Sequence, residues 1–176
     1  MKKLFFIFLF FISACSVHTL QSYDKTMYSE LAQVSLTGNN GKDPYLIRKN
    51  FQNEFYLNGD DLYKNKKYGL YLNISNSVAD WLIQSDSTVL RKSLIVIANF
   101  SLKDLKTNKI LTSGSARSLI VFSESPSAWS SYVSEEKAYE DAVSDAMQSV
   151  RIQVSLFLAK EKNHKGKDEN KSKKHR

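Results

Sequence analysis

The chain reads as an α+β domain in which two helices pack on one face of a four-stranded mixed or antiparallel sheet, in the order β-α-β-β-β-α. Three observations carry that prediction. Four segments alternate apolar and polar residues with a period of two, the pattern of strands with one buried face. Two others repeat apolar residues at helical spacing and are preceded by capping residues. Between an apolar leader and a lysine-rich end lie roughly 145 residues, one domain's worth of chain and enough for a core.

The first strand is predicted over about Tyr28 to Leu36, where Ala32, Val34 and Leu36 alternate with polar neighbours. Thr37, Gly38, Asn39, Asn40 and Gly41 read as the turn that ends it. Asp43 then offers a capping carboxylate, and Pro44 suits the first helical position. Ile47, Phe51 and Phe55 recur every four residues, with Arg48, Lys49, Gln52 and Glu54 toward water and Asn58-Gly59 as the stop. The helix is amphipathic, and its aromatics read as core.

Tyr68, Leu70, Leu72 and Ile74 form the second strand, continuing irregularly through Val78, Trp81, Leu82 and Ile83 to a turn at Ser85, Asp86 and Ser87. Leu94, Val96, Ala98, Phe100 and Leu102 share one face of the third strand, and Lys106, Thr107 and Asn108 make a hairpin. In the fourth, Ile110 to Phe122, one side carries Thr112, Gly114, Ala116 and Ser118 and the other Leu111, Arg117, Leu119 and Val121. Such mixed faces predict a sheet covered on one side only. A Ser/Pro link from Ser123 to Ser131 follows, with Ser131 or Ser134 as the cap and Glu135 and Glu136 in the first turn, where the helix dipole favours acids. Ala138, Ala142, Ala146, Val150, Val154 and Leu158 then mark the longest helix, its small alanines predicting close approach to the sheet.

Residues 1–14 have a different character. Lys2 and Lys3 precede an unbroken apolar run from Leu4 to Ile12, then small residues, the pattern of a secretory signal. The run is shorter than the roughly 20 residues of a membrane span. Ile12-Ser13-Ala14-Cys15 resembles a bacterial lipobox, in which the thiol takes a diacylglycerol and becomes the new N-terminus. The expected division is therefore a signal peptide at 1–14, a lipid-anchored tether at 15–27, the folded domain at 28–160 and a basic tail without fixed structure at 161–176. The formal net charge of +7 belongs to the two ends. From Cys15 to Ala159 the chain carries fifteen charges of each sign, so its basic pI is no argument for nucleic-acid binding.

Catalytic chemistry is sparse. The three histidines, His18, His164 and His175, lie in the tether and the tail, outside any core. With Cys15 acylated, no Cys/His metal set remains. Asp60 with Asp61 and Glu135 with Glu136 are adjacent pairs, whose side chains do not converge. No glycine-rich phosphate loop or Gly-x-Ser-x-Gly elbow is present. The expectation is a protein that binds or plugs, with no cofactor beyond the lipid on Cys15.

Four stretches carry a resemblance over most of Cys15 to Lys160: the lipobox; Leu46, Arg48 and Asn50 in LIRKNFQNEF; WLIQSDSTVLRKSLIVIANFSLKD from Trp81; and Ser131, Tyr132, Ala138, Asp141 and Ala142. With these the chain resembles the lipopolysaccharide-assembly lipoprotein family LptE, in its alphaproteobacterial form. The resemblance implies two helices on a four-stranded sheet, a diacylglycerol and an N-acyl chain on Cys15, and a place at the outer membrane on its periplasmic side. It implies as partners the β-barrel LptD, which such proteins plug and help to assemble, and lipopolysaccharide. Arg91 matches the family's strand-opening arginine, Lys92 follows it, and Arg117 lies on the next strand; these three are the candidate lipopolysaccharide contacts. The lysine-rich end and Asp43-Pro44 depart from the family pattern. Two other readings stay open: a regulatory or peptidoglycan-binding envelope lipoprotein acting through the basic tail, which deletion of residues 161–176 would expose, and a hydrolase, which would need two distant carboxylates such as Asp61 and Asp86 brought together.

Overall fold

The computed structural model describes residues 30–56, 65–83 and 89–173. The alternating segments become β1 (Val34–Asn40), β2 (Tyr68–Ile83), β3 (Val89–Asp104) and β4 (Ile110–Ser123), with helix α1 (Pro44–Phe55) between β1 and β2 and α2 (Ala128–Lys173) after β4. The sheet order is β1-β2-β3-β4. β1 runs parallel to β2, while β2, β3 and β4 are antiparallel neighbours. The predicted α+β architecture, β-α-β-β-β-α with a mixed sheet, is the one observed.

The first strand lies later than its alternation implies. Residues 30–31 form a helical turn, and pairing begins at Val34 and continues through the predicted Thr37 to Asn40 turn. Side-chain hydroxyls explain this. Ser35 Oγ donates to Tyr68 O and Thr37 Oγ1 to Leu70 O, each at 3.1 Å, tying both residues to β2. The register slips between Leu36 and Gly38, and Gly38 backs onto the Tyr71 ring, where an added Cβ would lie 3.0 Å from Cδ1. Glycine here serves close approach, not chain reversal.

α1 starts as predicted. The Asp43 carboxylate accepts from Leu46 N at 3.0 Å, Pro44 opens the helix, and Ile47, Phe51 and Phe55 are buried. Its last amide bond runs from Tyr56 N to Gln52 O, and the Tyr56 hydroxyl donates to Val34 O at 2.7 Å, so the chain is turned back onto β1 directly after Phe55. The Asn58-Gly59 stop and the Ser85 to Ser87 turn lie outside the described residues.

The predicted third-strand face is the centre of the core: Leu94, Val96, Ala98, Phe100 and Leu102 are all buried, facing the same way as Leu70, Leu72 and Ile74 of β2 and Ala116 and Ser118 of β4. α2 supplies the other side through Ala138, Tyr139, Ala142, Val143, Ala146, Met147, Val150, Val154 and Leu158. The β3–β4 hairpin closes on Asp104, whose carboxylate accepts from Lys106 N and Thr107 N at 2.8 Å, and Asn108 takes the left-handed conformation with φ 55°. These amide bonds hold the Asp104 carboxyl below the ordinary aspartate value.

α2 departs from expectation at both ends. It begins at Ala128, with Ser127 Oγ accepting from Ser130 N at 3.5 Å; Ser131 is already helical, its hydroxyl donating to Ser125 O and accepting from Ser125 N, both at 2.8 Å. Glu135 and Glu136 consequently fall in the second turn and later, and Glu136 pairs instead with Lys42. Where a tail without fixed structure was expected from residue 161, the helix continues to Lys173. Lysine and glutamate are good helix formers, and extending an existing helix avoids the cost of a new nucleus.

Candidate binding surface

The helices cover one face of the sheet, and the other is open. On that open face β2 shows Tyr71, Asn73, Ser75 and Ser77, and β4 shows Ser113, Ser115, Arg117, Leu119 and Val121. Between them β3 contributes Ile95 and Ile97, both half-buried. Ile95 lies directly beside Leu119 and Ile97 beside Arg117, so a narrow apolar strip crosses a hydroxyl- and amide-rich surface. Leu119 and Val121 are 42% and 36% exposed.

The strip leads to the end of the sheet where β2 finishes, β3 begins and α2 starts. Both tryptophans of the chain stand at this end, Trp81 58% and Trp129 74% exposed. Trp81 sits at the register irregularity between Asp80 and Leu82. The Trp129 ring lies 6.1 Å from that of Tyr132, itself exposed, and Val133 adds to the group. Exposed aromatics gathered at one end of the sheet make that end a candidate contact surface.

The structure does not bring the three sequence-predicted contacts together. Arg91 and Arg117 both point to the open face, but six strand positions apart, about 20 Å at the rise of a strand. Lys92 has the opposite parity and faces the helix side, where its Nζ meets Glu124 Oε1 at 2.7 Å. That hydrogen bond raises the Lys92 ammonium above the usual lysine range and occupies one of its donors. Arg91 therefore groups with Trp81 at the strand end and Arg117 with Ile97 at mid-face. Cys15, Asp61 and Asp86 lie outside the described residues.

Sequence reasoning passed over the exposed aromatics, although one of them carried a signal. Trp81 has the parity opposite to Leu70, Leu72 and Ile74. Trp129 lies eighteen residues, five full helical turns, before the buried Met147, so its phase along the helix gives no warning that it is exposed. Among the described residues no group of three or more His, Cys, Asp or Glu could hold a metal ion. Nor is any helix among them long and apolar enough to cross a membrane.

No protein-family profile and no curated protein matches the chain. Among solved structures it is similar to a "putative lipoprotein" from Caulobacter crescentus, 17% identical with a TM-score of 0.61, over 77% of this chain and 97% of that one. It is also similar to a minor lipoprotein from Acinetobacter baumannii, 13% identical with a TM-score of 0.50, over 68% and 89% of the two chains. The architecture is thus one that solved lipoproteins share; identities this low speak to fold and not to activity.

Proposed function

We propose that this chain is an envelope lipoprotein, acylated at Cys15, that serves without catalysis as the lipoprotein partner of the LptD β-barrel at the outer membrane and contacts lipopolysaccharide. The observation that carries the reading is the sheet covered on one face only. Its open side combines serine and asparagine, which suit the polar, wet interior of a large barrel, with the Ile95, Leu119 and Val121 strip, which supplies apolar area to bury. The lipobox-like leader and the likeness in fold to two solved lipoproteins support an anchored protein of this shape. Arg91, beside exposed aromatics, offers a planar fork for a phosphate next to ring surface for an acyl chain. Arg117 is a second, separate fork.

Affinity capture of the full-length chain from detergent-solubilised membranes tests this directly. A large β-barrel should co-purify and be identified by mass spectrometry, with less recovered from a double variant carrying Leu119→Glu and Val121→Glu. Labelled palmitate should enter the wild type and not Cys15→Ala. Recovery of the chain only as a free monomer would sink the barrel assignment, and an unlabelled wild type would sink the anchor.

A further inference from the structure

The sheet's other end has a different chemistry. There β2 begins, β3 ends, β4 begins and α2 runs level with the last strand residues, since Gln153 Nε2 donates to Ser115 O and the helix continues past it. Topology gathers lysines from four separate stretches at this end: Lys66 and Lys67 before β2, Lys103 at the end of β3, Lys106 and Lys109 in the hairpin, and Lys160 and Lys162 on α2. Lys67, Lys106, Lys109, Lys160 and Lys162 are exposed. Lys66 and Lys103 lie against the Tyr56 and Tyr71 rings, with Nζ 4.1 and 4.4 Å from the centroids. Three acids share the region. Glu30 faces Lys162 at 3.8 Å, Asp104 is engaged by the hairpin amides, and Glu161 is half-buried, so the end stays positive.

Two further features separate it from a merely solvated lysine cluster. Leu105 and Ile110, 43% and 62% exposed, flank the hairpin lysines and give that edge an apolar rim. The N-terminal segment also enters here: Gln33 O accepts from Lys67 N and Tyr68 N, and Glu30 meets α2 beside Lys162. Cys15 is fifteen residues upstream of Glu30, at most about 50 Å of extended chain. A lipid at Cys15 is therefore joined to the fold at this end of the sheet and not at the tryptophan end.

We propose that the lysine-rich end is a docking surface for the anionic phospholipid headgroups of the bilayer that holds the anchor. The inference deepens the lipoprotein reading and rests on it for the identity of that bilayer. Among the described residues the exposed cations at this end are lysines; Arg151, close by on α2, is largely buried and paired with Glu54, and Arg91 and Arg117 lie farther along the sheet. Lysine is a compact, strongly hydrated point charge on a flexible stem, which suits a laterally mobile surface of charges that demands no bidentate geometry. An acyl anchor and a polybasic patch are also the two-signal combination that holds a peripheral protein and sets its orientation. α2 lengthens this end: its helix runs eleven residues past Lys162, about 16 Å.

The test is amide hydrogen exchange on the full-length chain bound to vesicles of phosphatidylcholine, with or without phosphatidylglycerol, in the absence of any barrel. With phosphatidylglycerol, amides of residues 105–110 and 160–173 should exchange several-fold more slowly, and the protection should vanish in concentrated salt. It should vanish too in a variant carrying Lys106→Glu, Lys109→Glu, Lys160→Glu and Lys162→Glu, and be reduced in the milder set of four Lys→Gln changes, whose circular dichroism checks the fold. Equal exchange on both vesicles overturns the proposal, as does protection that appears at the Trp81 end instead or only when an acidic protein is added. Mass spectrometry of Cys15 in the same sample reads the anchor separately: an unmodified thiol would overturn the lipoprotein reading while the contrast between the two vesicles still reports on the lysines.

Discussion

Gly114 sits in β4 where the Phe100 ring passes beneath α2, and the missing side chain is what lets the two layers meet. A Cβ there would lie 2.8 Å from Phe100 Cε1 and Cζ and 2.7 Å from Gln153 Oε1. The glutamine amide can swing aside, but the ring belongs to the core and cannot. Gly114→Ala should therefore cost about 1–3 kcal/mol in chemical denaturation, as overpacking does, whereas Ser113→Ala on the open face should stay within about 0.5 kcal/mol. Asp104 acts at the same scale through charge. Its folded pKa is depressed, chiefly by the Thr107 amide, so its contribution is present above the unfolded aspartate value and is lost as pH falls through the folded one. The midpoint difference between wild type and Asp104→Ala should thus be full at neutral pH and shrink on acidification below the usual aspartate range. A difference that does not change with pH would mean that the carboxylate charge plays no part in the hairpin.

At the scale of elements, α1 and α2 lie parallel and are latched near both ends of α1, Lys42 to Glu136 at the start and Glu54 to Arg151, 3.0 Å apart, at the finish. The second pair is about three-quarters buried and joins residues 97 positions apart in the chain. A double-mutant cycle of Glu54→Gln and Arg151→Gln should show a coupling of about 0.5–1 kcal/mol, the upper range for a partly exposed pair, and zero coupling would leave the helices held by apolar packing alone. The pairing also shows where element boundaries were legible. α1 was readable because Asp43, Pro44 and the Ile47, Phe51, Phe55 spacing all agree. α2's start was not, because Ser123, Ser125, Ser127, Ser130, Ser131 and Ser134 all offer a capping oxygen, and the choice among them was made by the hydrogen bonds of Ser131 back to Ser125. β1 was misplaced because Thr, Gly and Asn also serve in strands when cross-strand hydroxyl bonds and a tyrosine ring accept them, which is tertiary information. The candidate residues fared similarly. Strand parity separates Lys92 from Arg91 and Arg117, but the salt bridge to Glu124 and the 20 Å scale of the arginine separation follow only from register.

At the scale of the molecule, the two ends of the sheet divide the work by chemistry: lysines and the incoming N-terminal segment at one, tryptophans and Arg91 at the other. The opposition matters for the proposed barrel contact, because a chain anchored at Cys15 and docked on the bilayer through its lysine end would present the Trp81 and Trp129 end away from that surface. If that end enters a partner, its aromatics are interface residues in waiting, and they contribute little to the isolated fold. Trp81→Ala and Trp129→Ala should each change the unfolding free energy by no more than about 0.5 kcal/mol, as for exposed side chains. In the free protein the tryptophan emission should be that of water-exposed indole, since both indoles are exposed, and it should shift to the blue when the barrel is bound. Capture of the barrel should fall by an order of magnitude or more for at least one of the two variants, the range of a buried aromatic anchor, about 2 kcal/mol. Exposed aromatics that merely fill surface would behave otherwise, leaving both emission and capture unchanged. That result would shift the contact to the Ile95, Leu119 and Val121 strip, where the same capture assay on the Leu119→Glu and Val121→Glu variant reads the alternative.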